Sequence, residues 1–235
     1  LEDMKSIVQF SGGKDSTCML LMMLERGMQI DDIIFCDTTM EFPAMYEHID
    51  KVEKYIGRPI TRLKPPHDFI YYFAQYPKKR GKNKGKLGYG WPRMWARWCT
   101  RLFKIDLTAK YLRCGSEYKL YIGIARDEPK RPEKRMKNVI HPLYDWGITE
   151  SMALQYCYNH GFDWSGLYEQ FRRVSCWCCP LQPLNELREL RKFHPELWRK
   201  LLKMDDMVEH KFKPDWSVRH LEQRFAMEDR QQQLF

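Results

Sequence analysis

The feature that most constrains this chain is a junction near its start. Ile7-Val8-Gln9-Phe10 is a short apolar run that stops at Ser11-Gly12-Gly13, and a helical pattern then runs over residues 16–28 with Gly27 near its end. A strand led through paired glycines into a helix lets backbone amides turn inward without a Cβ clash, and the helix start adds partial positive charge. Ser11-Gly12-Gly13-Lys14-Asp15-Ser16 therefore reads as an anion cradle, with Lys14 supplying a full charge and Ser11 and Ser16 supplying hydroxyl donors. The plainer alternative is an ordinary tight strand-to-helix turn. The spacing matches neither a Walker A loop nor the three-glycine dinucleotide fingerprint.

The alternation continues along the chain. Residues 30–36, 59–63 and 119–124 read as further strands, and residues 43–56 as a helix with Pro43 at its first position and Gly57 at its cap. This order predicts an α/β fold, a Rossmann-like parallel sheet sandwiched by helices. Residues 93–113 have helical composition. After Pro142 the texture becomes helical, over residues 149–159, 164–171 and 184–207, with a cysteine-rich turn before the last. The expected division is an α/β domain over residues 1–137 and an α-helical, Cys-rich C-terminal lobe over residues 138–235.

Charge is distributed unevenly. Residues 67–137 hold 19 basic and 6 acidic side chains, so the whole +9 excess of the 235-residue chain sits there, which implies one anionic partner met at one place. Its densest part is residues 77–92, where Lys78, Lys79, Arg80, Lys82, Lys84 and Lys86 alternate with glycines and a mobile loop is expected. Trp91, Trp95 and Trp98 lie close by, and three readings stand: a nucleic-acid surface, solvated charge beside core-facing tryptophans, or a lid over a phosphate- or sulfate-bearing small molecule. A hydrophobic content of 43% excludes a mainly disordered chain. No apolar run is long enough for a membrane span, and no charged start leads into a secretory leader.

Eight cysteines without such a leader point to a reducing compartment, the cytoplasm, and to thiols used as metal ligands or redox groups. Cys176, Cys178 and Cys179 cluster in Ser175-Cys176-Trp177-Cys178-Cys179-Pro180, where the two-residue gap from Cys176 to Cys179 lets both sulfurs face one metal. Iron–sulfur, zinc and a metal-free thiol cluster all remain open. Cys18, Cys36 and Cys114 read as inert or core thiols.

The hexapeptide after an apolar strand resembles the PP-loop of the ATP pyrophosphatase superfamily, whose members split ATP between the α and β phosphates. Three further pieces resemble the phosphoadenosine phosphosulfate (PAPS) reductase family: Asp37-Thr38-Thr39-Met40-Glu41-Phe42-Pro43, Trp98-Cys99-Thr100 with Lys104, and Gly123-Ile124-Ala125-Arg126-Asp127-Glu128. The resemblance implies an adenine nucleotide on Ser11, Gly12, Gly13, Lys14, Asp15 and Ser16, with Asp37, Thr38 and Glu41 near the nucleoside. It implies Lys14, Asp15, Lys104 and Arg126 as the catalytic set, with Mg²⁺ as cofactor. Asp37 as a solvated strand end and Arg126 in a surface ion pair are the plainer readings.

Cys99 followed after 77 residues by Cys176 is similar to the [4Fe-4S] pattern of adenylyl-sulfate (APS) reductases, although Trp98 and Thr100 flank Cys99 and leave no adjacent pair. The resemblance implies Cys99, Cys176 and Cys179 as ligands and leaves the fourth open, with Cys157, on the helix before the motif, the first candidate and Cys178 the second; zinc is the rival metal. Two reactions follow from the resemblance. One splits ATP into AMP and pyrophosphate for adenylyl or sulfur transfer, with an anionic second substrate and a sulfur donor protein as partners. The other reduces APS or PAPS to sulfite, and it expects a C-terminal Glu-Cys-Gly-Leu-His nucleophile where this sequence reads Glu228-Asp229-Arg230-Gln231. The intact hexapeptide and that ending favour the first. A third reading is a non-catalytic nucleic-acid-binding partner.

Overall fold

Central strands of a parallel sheet are covered on both faces and so read as unbroken apolar runs. β2 (Asp32–Cys36) has this character after Asp32, and β1 (Lys5–Phe10) approaches it with Ile7, Val8 and Phe10 around Gln9; Val8 and Ile34 are fully buried. In the computed structural model, which describes residues 4–81, 83–113, 117–128 and 138–232, they form the middle of a five-stranded sheet. The order is β3-β2-β1-β4-β5, with β3 at Thr61–Leu63, β4 at Tyr118–Ile122 and β5 at Val139–Ile140, and every pairing is parallel. Strand order reverses between β1 and β4. In open α/β sheets that reversal leaves a crevice beyond the carboxyl ends of the two strands.

The chain divides into two compact units. One comprises residues 1–37, 41–65 and 103–175, and the other residues 38–40, 66–102 and 176–235. The sequence places its boundary at 137/138, whereas the units interleave, because residues 138–175 belong with the sheet and residues 66–102 with the C-terminal helices. The sheet unit holds α1 (Lys14–Glu25), α2 (Pro43–Ile56), α4 (Asp106–Leu112), α5 (Pro142–Asp145), α6 (Glu150–Asn159) and α7 (Leu167–Gln170). The second unit holds the single turn α3 (Trp98–Thr100) with α8 (Leu184–Phe193), α9 (Pro195–Asp205) and α10 (Val218–Gln232). Leu187, Leu190, Trp198, Leu201 and Phe225 make its core, and Arg191 grips Glu222 through two nitrogens.

Several predicted elements differ at their ends for local reasons. The expected helix over residues 184–207 is two helices, broken at His194 because the residue before Pro195 is pushed out of helical geometry. The helix expected over residues 164–171 begins as a left-handed turn, described below. The basic stretch is not an open loop but a hairpin: Pro77 pairs with Leu87, and the Lys78 and Gly85 amides donate to Lys86 O and Lys78 O. Its root is fixed at Gly88 (φ 60°), where a Cβ would lie 2.2 Å from the Phe73 carbonyl oxygen. Trp98 donates to the Gly90 carbonyl, whereas Trp95 is 78% exposed. α10 went unpredicted. Lys82, Cys114 and Gln233 lie outside the described residues. No helix among the described residues is long and apolar enough to cross a membrane.

Candidate functional site

The glycine loop follows β1 and leads into α1, with Gly13 as N-cap. Gly12 has φ 78°, and a Cβ there would lie 2.5 Å from Met45 Sδ, so only glycine fits. Ser16 Oγ ties the loop together by accepting from the Ser11 amide at 3.1 Å and donating to Gly13 O at 3.0 Å. Across the crevice, Gly123 follows β4, and a Cβ there would meet the Ser16 amide nitrogen at 2.8 Å. Absence of that atom lets the loop after β4 lie against the glycine loop. This contact, and not a turn requirement, accounts for the glycine in Gly123-Ile124-Ala125-Arg126-Asp127-Glu128.

A cavity of about 120 Å³ opens at this crevice. Ser11, Gly13, Lys14, Asp15, Glu41 and Lys104 line it, as do Gly123, Glu128, Tyr168, Arg173, Val174 and Ser175. Lys14 is held by Glu150 at 2.8 Å and Asp15 at 3.2 Å. Burial alone would lower its pKa, but the two carboxylates outweigh it and hold it above the ordinary lysine value. Burial moves Asp15 above the usual carboxylate range against the pull of Lys14, and its Oδ1 is buried without a hydrogen-bond partner. An orphaned carboxylate oxygen beside a phosphate-sized cavity suits Mg²⁺, which takes one or two carboxylates and completes its shell with phosphate oxygens and water. Lys104, Glu41 and Glu128 also have partners, whereas Arg173 is exposed.

The other expected contacts are placed differently. Asp37 is 2% exposed, accepts from Tyr46 Oη at 2.8 Å and pairs with Lys64 at 3.0 Å, so it is neither a solvated strand end nor part of the cavity lining. Thr38 is buried in the second unit with its hydroxyl 3.2 Å from Cys176 Sγ. Arg126 is exposed and its guanidinium lies over the Tyr144 ring at 4.4 Å, away from the lining set. Tyr168, Glu150 and Arg173 were not foreseen. They come from a distant segment that carries no motif, and only packing brings them to the loop.

Cys157 was the first choice for a fourth metal ligand. It is instead fully buried in the sheet unit, donates to the Lys14 carbonyl at 3.4 Å, and is pushed up in pKa by burial, which marks a packing thiol beneath the loop. Cys18 is likewise a core thiol, pushed up to about 12 by burial. Cys99, Cys176, Cys178 and Cys179 all belong to the second unit, and the Cys179 amide closes a turn on Cys176 O. Among the described residues, no three His, Cys, Asp or Glu side chains converge as a metal site.

A strained turn flanks the loop. Trp164, Ser165 and Gly166 have φ of 51°, 53° and 80°, and left-handed backbone costs a non-glycine residue about 1–2 kcal/mol. Trp164 Nε1 donates to Gly12 O at 2.8 Å, and its ring stacks on His48 at 4.2 Å. His48 in turn meets Thr17 Oγ1 at 3.0 Å. Burial, with Lys51 and against Asp163, lowers His48 to about 3, so the imidazole is neutral.

The model of the phosphoadenosine phosphosulfate reductase domain matches residues 5–182. The chain belongs to that family. It is 27% identical over 207 residues to an uncharacterized protein of Methanocaldococcus jannaschii, covering 83% of this chain and 40% of that one, so the chain spans well under half of its relative. Among solved structures, a PAPS reductase from Candida auris in a phosphate complex aligns with a TM-score of 0.50 at 17% identity, over 73% of this chain and 81% of that one. The U34-tRNA thiolase NcsA from Methanococcus maripaludis, solved with its [4Fe-4S] cluster, aligns at 0.46 and 16% identity, over 96% and 74%. The reductase likeness establishes the fold shared with this family: a parallel α/β sheet with a helical C-terminal part.

Proposed function

We propose that the cavity binds ATP and splits it into AMP and pyrophosphate for adenylyl or sulfur transfer. The observation that carries this reading is the lining: a loop at a helix start, three cations, carboxylates and hydroxyls, and no thiol among the described residues. Reduction of APS or PAPS needs a thiolate at the sulfonate sulfur. The cysteine bonded to the loop, Cys157, is buried and held protonated, which suits packing and not attack.

In this reaction an acceptor oxygen bonds to the α-phosphorus while the bond to the bridging oxygen breaks. Pyrophosphate then leaves with that electron pair. Apart from the Lys14 amide, which Tyr168 Oη takes, the first-turn amides of α1 lack intrahelical acceptors and would face the developing charge, while Lys14 and Lys104 neutralise it without reorganising. Asp15, with Glu128 as a second lining carboxylate, would hold Mg²⁺, which when bound draws charge from the phosphates. Glu150 and Asp15 keep Lys14 charged and aimed before the nucleotide arrives. For the acceptor, the second unit offers a surface of its own, the hairpin bearing exposed Lys79, Arg80, Lys84 and Lys86, which suits an anion such as a nucleic acid.

Purified protein with Mg²⁺ and ATP should release pyrophosphate, assayed with and without single-stranded RNA or DNA as acceptor. Sulfite formation from APS or PAPS with thioredoxin, without ATP binding, would replace this reading by the reductase one.

A further inference from the structure

Three consecutive left-handed residues, two of them not glycine, persist only where surrounding contacts hold them. The turn is closed by Asp163, whose side chain accepts from the Ser165 amide and whose carbonyl accepts from the Gly166 amide. It sends two side chains to the glycine loop, one from within the strained stretch and one from just beyond it. Trp164 donates to Gly12 O, and Tyr168 Oη accepts from the Lys14 amide at 2.8 Å. The phenol oxygen therefore sits on a first-turn amide of α1, where an anion oxygen is otherwise bound. Tyr168 also lines the cavity. Its accepting role is taken by Lys14, and among the described residues its own proton has no acceptor.

We propose that Tyr168 is a phosphate-binding residue of this site, donating its O–H to a non-bridging phosphate oxygen of the bound nucleotide, and that the strained turn exists to hold it there. The proposal rests on the nucleotide reading above. Burial raises the phenol above its ordinary pKa, so the donor stays protonated throughout the neutral range. The ring is fixed independently of the hydroxyl by its edge contact with Trp164 at 4.8 Å.

Tyr168→Phe removes only the hydroxyl. In calorimetric titrations of the full chain with Mg²⁺, wild type should bind both ATP and inorganic pyrophosphate. Tyr168→Phe should weaken both by a similar factor, about tenfold or more for a hydrogen bond to a charged oxygen, while the melting temperature falls only by what the lost Lys14 amide bond contributes. A role confined to bracing the loop would leave the phenol's own environment unaltered by ligand. Site-specific 3-fluorotyrosine at position 168 tests this, because its ¹⁹F resonance should move when pyrophosphate is added. Affinity of Tyr168→Phe within twofold of wild type, or an unmoved fluorine resonance, overturns the proposal and leaves the nucleotide reading standing. Failure of wild type to bind either ligand overturns both.

Discussion

The glycine-loop cavity and the basic hairpin are both rich in cations, yet they keep them in opposite states. In the cavity Lys14 is 9% exposed and bonded to two carboxylates, whereas among the described residues none of Lys79, Arg80, Lys84 and Lys86 has an ion-pair partner. Between Asp68 and Asp106 the chain holds no acidic residue at all. A buried cation without a carboxylate would carry a desolvation cost of several kcal/mol, so it must be paired before any ligand arrives. An exposed cation is already satisfied by water, and an anionic partner meets it by releasing counterions. The first arrangement suits one small ligand in one geometry; the second suits a long, repeating anion.

The contrast can be broken most forcefully at Lys14. Lys14→Ala should lower pyrophosphate release about 100-fold or more, by loss of a transition-state cation and by leaving Asp15 and Glu150 facing each other, as a steady-state assay would read. Gly12→Ala should be next. Its positive φ and its 2.5 Å approach to Met45 Sδ predict a loss of about 2–4 kcal/mol in a denaturant titration.

The core behind the cavity should also sense pH. His48 is neutral when folded, with its pKa lowered to about 3 from 6.5, so between those values the unfolded chain binds the extra proton. Stability therefore falls as pH drops below 6.5, by about 2 kcal/mol at pH 5, and His48→Asn should flatten that slope. The smallest effect belongs to the hairpin. Replacing Lys79, Arg80, Lys84 and Lys86 together by alanine should change stability by less than about 0.5 kcal/mol per residue while flattening the salt dependence of binding to single-stranded RNA or DNA. A large stability loss there would erase the distinction between the two regions.

Much of the site was legible where chemistry and local geometry coincide. The hexapeptide forms the strand-to-helix turn it predicts, because a positive φ at Gly12 and a helix start after Gly13 are properties of a few consecutive residues. Lys104 and Glu41 reach the same cavity. Arg126 and Thr38 do not, although they stand in equally recognisable motifs, because a motif names a residue but not the direction of its side chain. Cys157 teaches the same lesson. Its place on the helix before the cysteine motif suggests a ligand, and its neighbours make it a packing thiol.

By itself the sequence determined the alternation of strands and helices, the glycine loop at the start of a helix, the family and the confinement of positive charge to one stretch. All of these are written in adjacent residues or in composition. Only the tertiary structure decided that Trp164 and Tyr168, some 150 positions along the chain, meet the loop from within and just beyond a left-handed turn. It also decided that the basic stretch is a seated hairpin and that Glu150 holds Lys14. Such pairings have no local signature, since their stability comes from burial and hydrogen bonding that exist only once distant segments have met.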